Sequence, residues 1–178
     1  MLVMAGASAS GKTEIAKIII QKYGFKKMIT YTTRNKRDGE CNGIDYHFIS
    51  LESFLELKKN DFFIETTLYN GNYYGTAFQD TSFDKVLIVD TNGANILYEC
   101  LKSKVTIFFL EAPDDIRRDR MRKRGDQEED IEHRIHEDAT YFLKENLHHI
   151  DYIIATHHEG LESLADRIYK LYINHVVK

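Results

Sequence analysis

Near its start the chain reads Gly6-Ala7-Ser8-Ala9-Ser10-Gly11-Lys12-Thr13, a full G-x-x-x-x-G-K-T phosphate loop. Its glycines permit backbone angles that turn several N–H groups inward on one phosphate. A helix beginning after the loop adds the positive end of its dipole. Lys12 would reach the outer phosphates of a nucleoside triphosphate, and the Thr13 hydroxyl would ligate Mg2+. The arginines are a second signal. Eight of the nine fall within 34–37 and 117–134, whereas the fifteen lysines are scattered from Lys12 to Lys178. A guanidinium fork takes phosphate oxygens two at a time, which an ammonium cannot do. Within 117–124 six of eight residues are basic, and Arg117, Arg120 and Arg124 share one helical face. That run suits a bound phosphate, a nucleic-acid patch or a solvated helix face.

Other candidates are weaker. Asp38, Glu40, Asn42 and Gly43 hint at a calcium loop, but Ile49 occupies the twelfth position, where Glu is required. His133 and His136 lie one helical turn apart, and His148-His149 and His157-His158 are pairs. None has a third ligand at metal spacing, so they read as surface histidines. Cys41 and Cys100 form neither a metal spacing nor a disulfide framework, and are expected to be reduced and semi-buried in a cytoplasmic protein. At 178 residues, with 43% hydrophobic and 29% charged residues, the chain has one domain's worth of core and is not globally disordered. A net charge of -4 argues against a nucleic-acid or membrane-surface binder. The longest apolar runs are about five or six residues, against the ~20 of a membrane span. The opening MLVMAGASAS lacks the basic start of a signal peptide.

These residues need elements to hold them. The apolar run 2–5 predicts a strand, 13–23 a helix with Ile15, Ile18 and Ile19 inward, and Gly24 its stop. Residues 28–33 predict a strand, and the polar 34–45 a loop. Residues 51–59 predict a helix capped by Ser50. Residues 62–69 and 71–76 predict a hairpin turning at Asn70-Gly71. The run 85–90, apolar and ending in Asp90, has the look of a buried parallel strand. A helix follows at 92–101, a strand at 105–110, helices at 114–123 and 128–146, a strand at 150–155 and a helix at 161–176. The expected fold is α/β, a three-layer core of the P-loop NTP hydrolase type with a parallel sheet, interrupted by a mixed β insertion at about 30–82.

Two further stretches carry a resemblance. Thr30-Tyr31-Thr32-Thr33-Arg34-Asn35-Lys36-Arg37-Asp38-Gly39-Glu40 continues to Asn42-Gly43-Ile44-Asp45-Tyr46-His47-Phe48, and Phe63-Ile64-Glu65 precedes Gly71-Asn72-Tyr73-Tyr74-Gly75-Thr76. With the phosphate loop, these resemble the guanylate kinases from Leu2 to about Arg134, and loosely to the C-terminus. The resemblance implies that Thr30, Arg34, Arg37, Tyr46 and Tyr74 hold the phosphate of GMP. Glu65, Thr76 and Asp90 would read the guanine, with Asp90 serving metal through water as an open alternative. Tyr73 would be packing. Guanine offers two donors, N1–H and NH2, to a carboxylate, where adenine offers an acceptor. A buried acceptor left unpaired by the wrong base pays its desolvation in full.

The resemblance also implies a core at about 1–29, 83–112 and 139–178, with a helical lid at about 113–138. Arg120, Arg124 and Arg134 would close from that lid over ATP, leaving Arg117, Arg118 and Arg122 solvated. The implied reaction is Mg2+-assisted transfer from ATP to GMP or dGMP. The chain departs from the family at Ala7 and Ala9 (usually Pro and often Gly), at Ile88 (usually acidic), at Thr156 (usually Asn) and in a short connection from Thr76 to Asp90. The alternatives are a ribose 1,5-bisphosphate kinase of the same fold, opposed by Glu65 and Thr76, and a non-catalytic binding module, opposed by Lys12.

Overall fold

The computed structural model describes residues 1–77 and 82–177. Residues 78–81, which fall within the predicted 30–82 insertion and the short 76–90 connection, and Lys178 lie outside the described residues. The chain runs β1 (Leu2–Ala5), α1 (Lys12–Tyr23), β2 (Lys26–Lys27), β3 (Tyr31–Thr32), β4 (His47–Phe48), α2 (Leu51–Lys59), β5 (Phe63–Tyr69) and β6 (Asn72–Ala77). It continues through β7 (Lys85–Ile88), α3 (Thr91–Leu101), β8 (Thr106–Glu111), α4 (Asp114–Lys123), α5 (Glu128–Tyr141), β9 (Tyr152–Ala155) and α6 (Leu161–Val176).

Five strands form a parallel sheet in the order β2-β7-β1-β8-β9. Successive residues of β1 point to opposite faces, and both faces are covered. Leu2 and Met4 meet Ile15 and Ile19 of α1 and Leu164, Ile168 and Tyr172 of α6. Val3 and Ala5 meet Ala94 and Leu97 of α3. Such two-sided burial is what makes parallel strands read as unbroken apolar runs. A second, mixed sheet runs β4-β3-β6-β5. Its β5–β6 hairpin turns at Asn70 and Gly71, with φ of 47° and 70°, the two positive angles that Asn-Gly supplies at least cost. Helices α4 and α5 pack on each other through Met121, Ile131 and Ile135, and the Ala9 methyl packs against that small core.

Three expectations need correction. The strand expected over 28–33 is only β3, at 31–32 in the mixed sheet, and the parallel-sheet strand β2 ends before it at Lys27. The Met28 N–H still bonds Val86 in the parallel sheet, while the Thr30 carbonyl already accepts His47 N–H in the mixed one. The segment crosses between sheets, and its uniform β-propensity hides the crossing. The helix expected over 128–146 stops at Tyr141, and a separate turn of 3-10 helix follows at 144–146. Asp90 does not end a strand but caps α3, its side chain accepting the Gly93 N–H at 2.7 Å, the preferred use of Asp at a helix start.

Candidate active site

The phosphate loop leaves β1 at the C-terminal edge of the parallel sheet and feeds α1, the usual place for a ligand in an open α/β sheet. Gly6 has φ of 141°, and a Cβ there would lie 2.1 Å from the Leu110 carbonyl oxygen, so no other residue fits. Ala9 is also left-handed at φ 58°, where a Cβ costs roughly 1–2 kcal/mol. Lys12 folds over the loop, its Nζ donating to Gly6 O at 2.5 Å, Ala7 O at 2.7 Å and Ser10 Oγ at 3.3 Å. Burial pushes its pKa down to about 8, opposed by Asp138 and reinforced by Arg117 and Arg124. An anion beside it would restore the charge that burial disfavours.

This loop forms one side of a cleft of about 490 Å³, and the mixed sheet forms another. Gly6, Ser8, Ala9, Lys12 and Thr13 line it with Thr30, Arg34, Arg37, Tyr46, Glu65, Tyr74, Asp90, Arg124 and Arg134. Of the other residues predicted to bind, Ser10 is buried beneath the loop. Ala7 contributes its carbonyl to Lys12, and the Gly11 carbonyl accepts the first bond of α1, from Ile15 N–H. Thr76 is buried behind Glu65.

Glu65 sits deep, 6% exposed, and Thr76 Oγ1 donates to its Oε1 at 2.5 Å. Burial raises its pKa to about 7, with Asp90 adding to the rise and Thr76 opposing it. Burial raises Asp90 as well, against hydrogen bonds from Gly93 N–H and Thr67. A pair of desolvated carboxyls beside each other is a strong acceptor site for a ligand that brings its own N–H donors.

Arg34 places both Glu40 oxygens on one nitrogen, at 2.8 and 3.0 Å, and its guanidinium lies 5.5 Å from the ring centres of Tyr46 and Phe48. Arg37 is different: among the described residues it has no acidic partner within ion-pair distance. Burial, then the charges of Arg34, Arg124 and Arg134, hold its pKa below the usual guanidinium value. Arg124 and Arg134 both pair with Asp126, Arg134 at 3.0 Å. Burial favours protonating Asp126, but Arg124, Arg134 and Arg37 together bring it below the usual carboxylate range. Two guanidiniums thus share one carboxylate and Arg37 adds its charge nearby, which leaves uncompensated positive charge across the cleft mouth. An added phosphate answers that charge.

Arg120 does not line the cleft. Its Nη1 donates to Ala9 O at 3.1 Å and its Nη2 to Thr156 O at 2.6 Å, so it holds the phosphate loop to the end of the sheet. Thr156 joins in, its hydroxyl donating to Ser10 O at 2.8 Å. Arg117, expected in solvent, is 4% exposed and ion-paired with the buried Asp138. Basic density along a helix gave no sign of this, because the partner lies on the next helix, twenty-one residues on. Arg118 and Arg122 do face outward, paired with Glu132 and Glu128. Tyr69, Thr67 and Phe142 also line the cleft without having been singled out, since lone residues beside a turn or helix end carry no spacing signal. Cys41 and Cys100 are free and exposed rather than semi-buried. No set of three or more metal-ligating side chains occurs among the described residues.

A phosphate loop and a buried acceptor pocket sharing one cleft, with arginines converging from two sides, define a P-loop nucleotide kinase. The guanylate kinase family model matches residues 1–170. A guanylate kinase of Desulfotalea psychrophila is 35% identical, over 87% of this chain and 80% of its own length. One from Anaplasma phagocytophilum is 33% identical, over 94% of this chain and 83% of its own. A crystal structure of guanylate kinase from Anaplasma phagocytophilum superposes with a TM-score of 0.73 at 26% identity, covering 100% of this chain and 86% of that one. The chain belongs to the guanylate kinase family. It is an enzyme, a transferase with the P-loop fold of that family.

Proposed function

We propose a division of labour within one cleft: the phosphate loop holds ATP, the mixed sheet holds GMP, and the α4–α5 pair is the lid that closes on both. The overall reaction is that of the family, in which the γ-phosphoryl of ATP passes to GMP and leaves ADP and GDP. In this reading, the core is 1–29, 83–112 and 139–178, the acceptor unit 30–82 and the lid 113–138. The observation that carries it is the opposition of Glu65 and Lys12, a hydrogen-bond acceptor pocket and a phosphate loop, on the walls of the same cleft.

Thr30, Arg34, Arg37, Tyr46 and Tyr74 take the GMP phosphate, and Glu65 with Thr76 and Asp90 takes the guanine edge. The N1–H and NH2 of guanine donate to Glu65 in its ionised form. Arg124 and Arg134 take up the charge of the migrating group, as arginines do in phosphoryl transfer. Arg120 acts on the loop that holds ATP. The acceptor oxygen belongs to a phosphate whose second pKa is near 6, so it is ionised at neutral pH and no general base is required. Excluding water protects the phosphoryl group from hydrolysis and strengthens each charge interaction.

Thr13, exposed at the start of α1 and lining the cleft, is the side chain that would hold a Mg2+ ion together with the triphosphate. A single hydroxyl suits an ion that keeps water and takes its other ligands from phosphates. When bound, the ion neutralises charge on the transferring phosphates. The two free cysteines and the lack of a helix able to cross a membrane among the described residues accord with a cytoplasmic setting.

Lys12→Ala tests the division. Turnover should fall at least about a hundredfold, the cost of removing one preorganised charge from such a site, while GMP binding by calorimetry is retained. Equal loss of both would contradict separate donor and acceptor walls.

A further inference from the structure

Ser8, on the outer turn of the phosphate loop, is held by three side chains from three parts of the chain. Its N–H donates to Asp138 Oδ2 at 2.8 Å. Its carbonyl accepts from Arg117 Nε at 2.8 Å. Its hydroxyl lies 3.1 Å from the Tyr69 hydroxyl. The three holders also bind one another: Tyr69 OH donates to Asp138 Oδ1 at 2.7 Å, and Arg117 Nη2 donates to Asp138 Oδ2. Tyr69 ends β5 at the hairpin turn, Arg117 is on α4 and Asp138 on α5.

Burial makes this arrangement costly. The Asp138 side chain has no exposure and that of Arg117 has 5%. A buried ion pair is usually no better for stability than apolar residues of similar volume. Its value must lie elsewhere, and what it does is tie the hairpin, α4 and α5 to one residue of the phosphate loop. Tyr69 and Ser8 both line the cleft, and Tyr74, across the same hairpin, pairs with Thr67 two residues before Tyr69.

We propose that Tyr69, Asp138 and Arg117 form a latch that couples the acceptor site to the donor loop, so that filling one site tightens the other. Tyr69 carries the state of the hairpin, Asp138 and Arg117 carry that of the lid, and Ser8 receives both. These are positioning residues, acting on substrates through Ser8. The proposal rests on the ATP and GMP assignment above.

Coupling is reciprocal and is read as an affinity ratio. Calorimetry would measure binding of a non-hydrolysable ATP analogue with Mg2+, with and without saturating GMP. The wild-type protein should bind the analogue about fivefold or more tightly when GMP is present, the low end of ordinary coupling. In Tyr69→Phe, which keeps the ring packed on Tyr141 and Phe142, the ratio should fall below about twofold. The double replacement Arg117→Met with Asp138→Leu exchanges the ion pair for apolar volume. It should unfold at a temperature close to wild type and lose the coupling too. If it does not fold, Tyr69→Phe alone decides. A wild-type ratio near one, or an undiminished ratio in Tyr69→Phe, would overturn the latch. GMP binding alone with no coupling would sink the latch only, whereas no GMP binding at all would sink the acceptor assignment with it.

Discussion

Glu65 has a folded-state pKa of about 7 against 4.5 in an open chain. The raised value means that the folded protein favours the protonated acid. Its contribution to stability is therefore fully present below about pH 4.5 and is lost as pH rises through 7. By the usual conversion that amounts to on the order of 3 kcal/mol at most. Guanine reverses the preference, because N1–H and NH2 need an ionised acceptor. GMP should therefore bind more tightly as pH rises through 7, with release of a proton. Glu65→Gln should flatten that dependence and weaken GMP by roughly 10–100-fold, the worth of a hydrogen bond to a charged group, leaving ATP binding unchanged. Calorimetry in two buffers of different ionisation enthalpy reads both the affinity and the proton. The phosphate of GMP titrates near 6 in both proteins, so the difference between them isolates Glu65. A wild-type profile matching that of Glu65→Gln would contradict the assignment.

At the scale of elements, α4 and α5 have a core of their own, made of Met121, Ile131 and Ile135, separate from the two layers around the parallel sheet. Met121→Ala truncates a fully buried member of that core, a change that costs about 2–5 kcal/mol in a buried site. The loss should stay local, since α4 and α5 contribute nothing to the sheet's two cores. The expected result is a large fall in kcat with GMP affinity within about threefold of wild type and hydrogen exchange faster only in α4 and α5. Exchange quickening equally in β1 and α1 would show that the pair is not an independent unit. The sequence located both helices, because helical spacing such as that of Ile131 and Ile135 is a local signal. It placed the end of α5 five residues too far, since helical periodicity persists past Tyr141 while the chain turns at Phe142, whose ring lies 5.7 Å from Lys12 Nζ. The latch was illegible for a related reason. Tyr69, Arg117 and Asp138 are far apart in sequence, and only the packing of the hairpin on the helical pair brings them to Ser8. The motif residues were legible because their spacing is itself the chemistry, as in the phosphate loop and the loop from Thr30 to Phe48. Arg120 was legible as a residue of note, but its bonds to Ala9 and Thr156 were not, since they depend on where those carbonyls point.

Taken whole, the molecule carries a net charge of -4 yet gathers six of its nine arginines around one cleft. Arg34, Arg37, Arg124 and Arg134 line it, Arg120 and Arg117 brace its phosphate loop, and Arg118 and Arg122 are neutralised by acids on the outer surface. The overall charge opposes long nucleic acids, while the local charge suits a small polyanion, or two of them brought together in line. On the proposed assignment, the carboxyl pair at the inner wall would select among nucleotides that satisfy the arginines equally. Selectivity for the base should follow, because a buried acceptor left unpaired costs far more than a missing surface contact. The most direct test of the account is therefore a coupled assay of ADP release with ATP and Mg2+, offering GMP, dGMP, AMP, UMP or ribose 1,5-bisphosphate in turn. The account predicts turnover with GMP and dGMP and a kcat/KM for AMP and UMP lower by about four orders of magnitude or more, the discrimination a buried hydrogen-bonding site can reach. Turnover with ribose 1,5-bisphosphate alone, or comparable rates for AMP and GMP, would contradict it.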